Sequence, residues 1–331
     1  MEYIVNNLKG KKPDEEVKEM ISMRRSIQAD KMKDTSGESF EKMKMTLTMS
    51  LFKSKPTKTY DFLLKSEEKY KKAIYELCKT MIEEEESPTC FRQTILYMIW
   101  KRKGAMDVLK NNRFLHMKEV YARTVDTLVL EKLTEPLVKS ATIYQIGGLP
   151  GHSINEHLIT LKTIMAWAEV TKAGIVFLIM DIMSFFDKED IFDCLETMER
   201  LRVNKKAARV WYKLNKDTEV VVKTTSGMIE PAKVRDCLGQ GTAGVGLVSQ
   251  ANLDHGLNSY FSGCKDIMYF GERRIQPLSY QDDVGAPCID ASMARVQASL
   301  LASLMQEKAL LAHPDKTGYR DKNNCCKKRS C

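Results

Sequence analysis

Apolar residues recur at helical spacing from residue 61 to 86, where Leu63, Tyr70, Ile74, Leu77 and Met81 share a face. Ser87-Pro88 ends that run, because proline has no amide hydrogen to continue a helix. Further helices are predicted over 91–102 and 124–139. Residues 144–153 form a Gly/Pro loop, and Ser153 with Glu156 has the form of a capping box opening an apolar helix to about residue 168. Six apolar residues then run from Ile175 to Met180 and close on Asp181, which predicts a buried strand. Asp187 and Asp190 can cap a helix over 188–201, whose apolar face is Ile191, Phe192, Leu195, Met198 and Leu201. A hairpin is predicted over 219–234 with its turn at Ser226-Gly227, then a glycine loop over 237–246 leading into a helix to about residue 257. Strands over 275–280 and 284–287 flank a tight acidic turn, Gln281-Asp282-Asp283, and 291–312 is again helical. This order of elements predicts an α+β fold with helices on one face of an antiparallel sheet. Residues 1–60 mix Lys, Glu, Met and Ser with weak periodicity and are expected to be polar helices or a partly disordered arm.

The chain has 331 residues, 43% hydrophobic and 29% charged, a globular composition that excludes fibrous or wholly disordered classes. The strongest apolar run breaks at Asp181, well short of the roughly 18 residues of a membrane span. The first residues lack the basic-then-apolar order of a secretory signal. An intracellular protein, nuclear or cytoplasmic and without a membrane partner, is therefore expected. Nine scattered cysteines lack the paired spacing of a zinc site, so reduced thiols are expected. The net charge of +8 matters where it is concentrated, as in Lys101, Arg102, Lys103, Lys110, Arg113, Lys118 and Arg123, preceded by an acidic run at 83–86.

Asp181 closes a strand and Asp282-Asp283 sit at a turn far along the chain. Like charges ~4 Å apart at an effective dielectric of ~20 repel by ~4 kcal/mol, so clustering these carboxylates calls for cations. Oxygen-only ligands suit Mg²⁺, and two such ions would activate an attacking hydroxyl and stabilise leaving pyrophosphate.

The surrounding residues resemble a family. Met180-Asp181-Ile-Met-Ser-Phe185-Phe186-Asp187 resembles the first palm motif of reverse transcriptases, and Leu238-Gly-Gln240-Gly241-Thr resembles the second. Tyr280-Gln-Asp282-Asp283-Val284 resembles the Tyr-x-Asp-Asp signature of the third. Upstream, Gln145-Ile-Gly147-Gly-Leu-Pro-Gly151-His-Ser153 and Asn111-Asn112-Arg113-Phe114 resemble blocks of non-LTR (LINE-like) retrotransposon and group II intron enzymes. Downstream, His313-Pro-Asp315-Lys316-Thr317 falls at the fourth palm motif. The resemblance covers about residues 95 to 320, with the motifs in family order.

It implies a polymerase fingers-palm fold with a ferredoxin-like antiparallel palm sheet, and RNA-directed DNA polymerase activity. Asp181, Asp282 and Asp283 would be metal ligands for two Mg²⁺ ions, with Mn²⁺ a possible substitute. Phe186 would exclude a ribose 2′-hydroxyl; Gln240, Gly241 and Tyr280 would belong to the nucleotide pocket. Lys316 would be a general acid or charge partner for pyrophosphate, and Lys110 and Arg113 would meet the triphosphate. The implied partners are an RNA template, a DNA primer and dNTP. The expected organisation is a charged helical extension (1–90), a basic fingers-like region (91–173), a palm (174–320) and a disordered or truncated tail (321–331), with the thumb expected to be absent. A catalytically dead, nucleic-acid-binding remnant is the alternative.

Two other motifs compete. Gly239-x-Gly241-x-x-Gly244 matches a dinucleotide-binding pattern but lacks the following strand that ends in an acid. His313-Pro314-Asp315-Lys316 is the loop signature of chaperone J-domains, yet it follows an acidic hairpin instead of a basic helix.

Overall fold

The computed structural model describes residues 68–224, 227–234 and 238–321. The expectations for 1–67, Leu63 of the first predicted helix included, for the turn residue Ser226, for Cys237 and for the tail beyond 321 lie outside the described residues. The described residues pack as two compact units, one within 68–136 and 186–245, the other within 137–185 and 246–321.

In the first unit, the strand Gln93–Trp100 lies between Asn112–Lys118, antiparallel to it, and Thr218–Thr224, parallel to it. The short strands Gly227–Met228 and Ala232–Val234 both return against Thr218–Thr224, as the hairpin pattern predicts. The helix expected over 91–102 is corrected to a strand. Its residues, Gln-Thr-Ile-Leu-Tyr-Met-Ile-Trp, are β-branched, aromatic or long apolar side chains, and ladders on both sides satisfy its main chain. Leu96, Phe114, Val220, Val222 and Val234 form the core beneath this sheet.

The helix Lys205–Asn215 is absent from the sequence-based expectation. Asn204 caps it by accepting from the Ala207 amide at 2.9 Å, and Ala207, Ala208, Val210, Trp211 and Leu214 bury one face. The acidic run at the end of the helix Glu68–Glu84 docks on it: Glu85 pairs with Arg209 at 2.8 Å and Glu86 with Lys213 at 2.5 Å. Two of the four acids in this run are thus matched to cations of that helix. Asp190, and not Asp187, caps the helix Ile191–Arg200, accepting from the Phe192 amide at 2.7 Å.

In the second unit, four strands run in the order Gly318–Asp321, Val176–Asp181, Asp283–Cys288, Leu278–Tyr280, all antiparallel. Leu178, Met180, Val284 and Ala286 are buried, with Leu178 opposite Ala286 and Met180 opposite Val284, so one sheet face is core. Ile179, pointing the other way, is 40% exposed. The helix Ala291–Glu307 packs on the two central strands and ends five residues earlier than expected. Ser153 and Glu156 form the capping box at the start of the helix Ile154–Thr171, whose Ile164 and Ala168 pack with Ile175 and Met268. A two-stranded ribbon, Met268–Phe270 with Arg273–Ile275, precedes the acidic hairpin. Among the described residues no helix is long and apolar enough to cross a membrane.

Candidate active site

Strand register brings the acidic residues of the second unit together. Asp283 stands directly opposite Asp181 in the ladder, so both carboxylates leave the sheet on the open face that carries Ile179 and Gly285. Asp282 occupies the turn, and its carbonyl accepts the Ile182 amide at 2.9 Å, tying the turn to the end of the first acidic strand. Tyr280 ends the strand Leu278–Tyr280 and pairs with Asp283 across the hairpin.

Lys316 reaches this cluster through main-chain contacts. The His313 amide donates to the Asp181 carbonyl at 2.7 Å, the Met183 amide to the Leu311 carbonyl at 2.7 Å, and the Lys316 amide to the His313 carbonyl at 3.2 Å. With its backbone so placed, Lys316 donates from Nζ to both Asp181 oxygens, at 2.9 and 2.8 Å. This hydrogen bond raises the Lys316 ammonium above its ordinary range. Burial raises the Asp282 carboxyl, and the charges of Asp283 and Asp181 act in the same direction. Burial also raises the Asp283 carboxyl, with Asp181 adding to the effect and Lys316 opposing it.

The donor set suits a hard divalent cation, since it offers only carboxylate oxygens and carries mutual repulsion that a cation would relieve. Lys316 is the positive charge already among them. Among the described residues no three His, Cys, Asp or Glu side chains converge on one point as a ready metal site. Asp181, Asp282 and Asp283 therefore match such an ion in donor chemistry but are not arranged around one as placed, and Lys316 occupies both Asp181 oxygens.

The remaining sequence-predicted residues belong to the first unit. Arg113 and Leu115 point outward from the strand Asn112–Lys118, and a Cβ on Gly241 would lie 2.4 Å from Leu115 Cδ1. Arg113 and Gly241 therefore share one face of a strand and its adjoining loop. Gly241 has φ +106°, which favours glycine. The Gln240 carbonyl accepts the His116 amide at 2.7 Å. Lys110 lies in the short turn Leu109–Asn111, where its carbonyl accepts from Lys101 Nζ at 3.0 Å. Phe186 belongs to the short helix Phe185–Lys188 and is half-buried, while Phe185 is core.

Sequence reasoning missed His116. Its ring lies beneath Gly239, where a Cβ would meet Cγ at 2.5 Å, and it is 2% exposed. Burial, with the nearby Lys118 charge, depresses its imidazole to about 4, so it is neutral at physiological pH. The three glycines at 239, 241 and 244 are explained by close packing on His116, Leu115 and Leu130. His116 alternates with the buried Phe114 along its strand, but Leu115 and Met117 on the opposite face mask that signal in the sequence.

Asp187, beside Phe186, is a half-buried acid whose Oδ1 is shut off from water. Burial pushes its carboxyl up to about 7 against the pull of Lys101 and Lys188. The folded protein holds this proton more tightly than the unfolded chain does. The resulting stabilisation is complete below the ordinary value of 3.8 and is lost as pH rises through about 7. Asp187→Asn is therefore expected to leave the melting midpoint nearly unchanged at pH 4 and to raise it by several degrees at pH 8. Thermal melts of both proteins at the two pH values check this; equal shifts would place the carboxyl in water.

No family model matches the chain, and no curated protein matches it. Solved structures do. One is apo telomerase from Candida tropicalis truncated from its C-terminal domain, with TM-score 0.51 and 14% identity over 71% of this chain and 51% of that one. Another is telomerase from Candida albicans in complex with a fragment of telomeric RNA, with TM-score 0.53 and 11% identity over 76% of this chain and 46% of that one. The chain spans about half the length of these structures. At this identity the likeness shows only that the chain shares its fold with these telomerase structures.

Proposed function

We propose that this chain is the reverse-transcriptase domain of a non-LTR or group II intron-like retroelement, extending a DNA primer on an RNA template with dNTP. The observation that carries this reading is the cross-strand placement of Asp181 and Asp283, with Asp282 at the adjoining turn. In this reading the four-stranded sheet is the palm, and Asp181, Asp282 and Asp283 would hold two Mg²⁺ ions, with Mn²⁺ as a substitute. Metal bound by these carboxylates would supply Lewis-acid activation of a primer 3′-hydroxyl and charge neutralisation at the leaving pyrophosphate.

The protein's own residues do the rest. Lys316, kept protonated by its carboxylate partner, supplies a proton or a positive charge to the leaving group. Arg113 and Lys110 bind the triphosphate, and Arg113 presents a planar fork of donors suited to phosphate oxygens. Gly241 would let a nucleotide approach the main chain closely beside Gln240, and Tyr280, at the end of its strand beside the acidic turn, would be a further nucleotide contact. Phe186 closes the space that a 2′-hydroxyl would need.

The test is primer extension by the full chain with Mg²⁺ and with Mn²⁺. The wild type is expected to incorporate dNTP and to reject rNTP, and Phe186→Ala is expected to gain rNTP incorporation by at least tenfold relative to dNTP. No gain would remove the reason for assigning DNA synthesis to this site. The engagement of both Asp181 oxygens by Lys316 favours a second reading, in which the fold binds nucleic acid without catalysis. Salt-sensitive RNA binding with no extension at any metal concentration would select it.

A further inference from the structure

The acidic turn is backed by a segment that the reaction scheme leaves without a role. Gln281, between Tyr280 and Asp282, has φ +59°, a left-handed conformation that costs energy in a residue other than glycine. Glycines crowd it. A Cβ on Gly147 would lie 2.3 Å from the Gln281 amide nitrogen and 2.8 Å from the Tyr280 carbonyl carbon. A Cβ on Gly148, whose φ is +88°, would lie 2.5 Å from Gln281 Nε2 and 2.6 Å from the Gly246 carbonyl oxygen. Gln281 Nε2 donates to that same carbonyl at 3.3 Å.

Main-chain pairing fixes the segment beside the hairpin. The Ser279 amide donates to the Tyr144 carbonyl at 2.7 Å, and the Ile146 amide donates to the Ser279 carbonyl at 3.3 Å. Gln145 bridges Ser279 in parallel sense, is fully buried, and has its carbonyl held by Gln250 Nε2 at 3.0 Å. The 144–148 segment thus extends the outer edge of the acidic hairpin like an added strand. Gly151, in the same loop at φ +80°, has open space where a Cβ would go.

We infer that Gly147 is a positioning residue: by letting the 144–148 segment lie directly on the main chain of the Tyr280-Gln281 peptide, it holds Asp282 and Asp283 in place. The inference rests on the reading of this turn as catalytic. The nearest atoms to the missing Cβ are main-chain atoms, so no side-chain rotation relieves the overlap. A methyl group at 147 has to displace the turn by roughly an ångström, and a misplacement of that size at a reacting centre costs about 100-fold in rate.

The first test does not depend on catalysis. Amide hydrogen exchange is measured on the full chain for wild type, Gly147→Ala and Gly151→Ala. Exchange at Ser279 is expected to be at least tenfold faster in Gly147→Ala and within twofold of wild type in Gly151→Ala. Equal protection in the two variants overturns the inference. If Gly147→Ala does not fold, Gly147→Ala with Gln281→Gly, which frees the turn from its left-handed strain, is measured in its place against Gln281→Gly alone.

In primer extension, kcat is expected to fall about 100-fold in Gly147→Ala with the dNTP KM within twofold of wild type. Adding Gln281→Gly should recover at least tenfold of that loss. A parallel change in kcat and KM, equal to that of Gly151→Ala, would count the loss as general destabilisation and overturn the inference. If the wild type extends no primer, the polymerase reading fails, and the exchange measurement alone decides whether Gly147 holds the turn.

Discussion

Asp282→Asn is expected to reduce deoxynucleotide incorporation by on the order of a thousandfold, about 4 kcal/mol of transition-state stabilisation. The substitution keeps the shape of the side chain and removes its charge, so the turn, held by the Asp282 carbonyl and the Ile182 amide, should survive. Because Asp283 and Asp181 repel Asp282, the change also relieves like-charge strain. The variant is therefore expected to melt at or slightly above the wild-type midpoint while losing activity. Asp181→Asn should lose at least as much activity, with an added stability cost because Lys316 loses its ion-pair partner. Single-turnover extension beside thermal melts checks both. Equal incorporation by wild type and Asp282→Asn would end the two-metal proposal.

The largest stability effect is expected at Lys118. Its ammonium lies inside the first unit and donates to Asp126 Oδ2 at 2.8 Å, Asn215 Oδ1 at 2.9 Å and the Leu214 carbonyl at 3.1 Å. Those three bonds use all the donors that a lysine has. Lys118→Met leaves the Asp126 carboxylate buried without its counter-charge and is expected to cost about 3–5 kcal/mol. Asp126→Leu strands the ammonium and should cost a similar amount. The double variant should cost less than either single change, since two apolar side chains in place of a buried ion pair leave no charge uncompensated. Urea unfolding of the four proteins measures the coupling; a double variant no more stable than the worse single one would mean that the ion pair is not the source of the effect.

This lysine also shows where sequence reading loses its grip. Along Asn112–Lys118 the buried positions are Asn112, Phe114, His116 and Lys118, while Arg113 is exposed and Leu115 and Met117 are half-buried. Hydrophobicity alone would place Leu115 and Met117 inside and the three polar residues outside. The partners that reverse this come from other elements: Asp126 on the following helix and the far more distant Asn215 answer Lys118, and the loop at Gly239 covers His116. The strand Gln93–Trp100 fails for a related reason, because a short apolar run does not by itself separate a buried strand from a helix. Its parallel pairing with residues 218–224 is what decides the matter.

Other features were legible because their causes are local. The capping box at Ser153 and Glu156, the Asp190 cap and the acid closing an apolar strand each depend on residues within one turn or one strand of each other. The glycines at 147 and 148 were visible as a loop, yet their reason was not, because the atoms they would strike belong to a turn far along the chain.

From the amino-acid order alone came the helical and strand periodicities, the caps, the acidic turn and the motif order that points to nucleotidyl transfer. Only the tertiary structure decided that Asp283 faces Asp181 in register, that Lys316 reaches that carboxylate, and that polar side chains fill the inner face of an edge strand. Local propensity acts over a few neighbouring residues, whereas strand partners and ion-pair partners are set by which distant surfaces pack together.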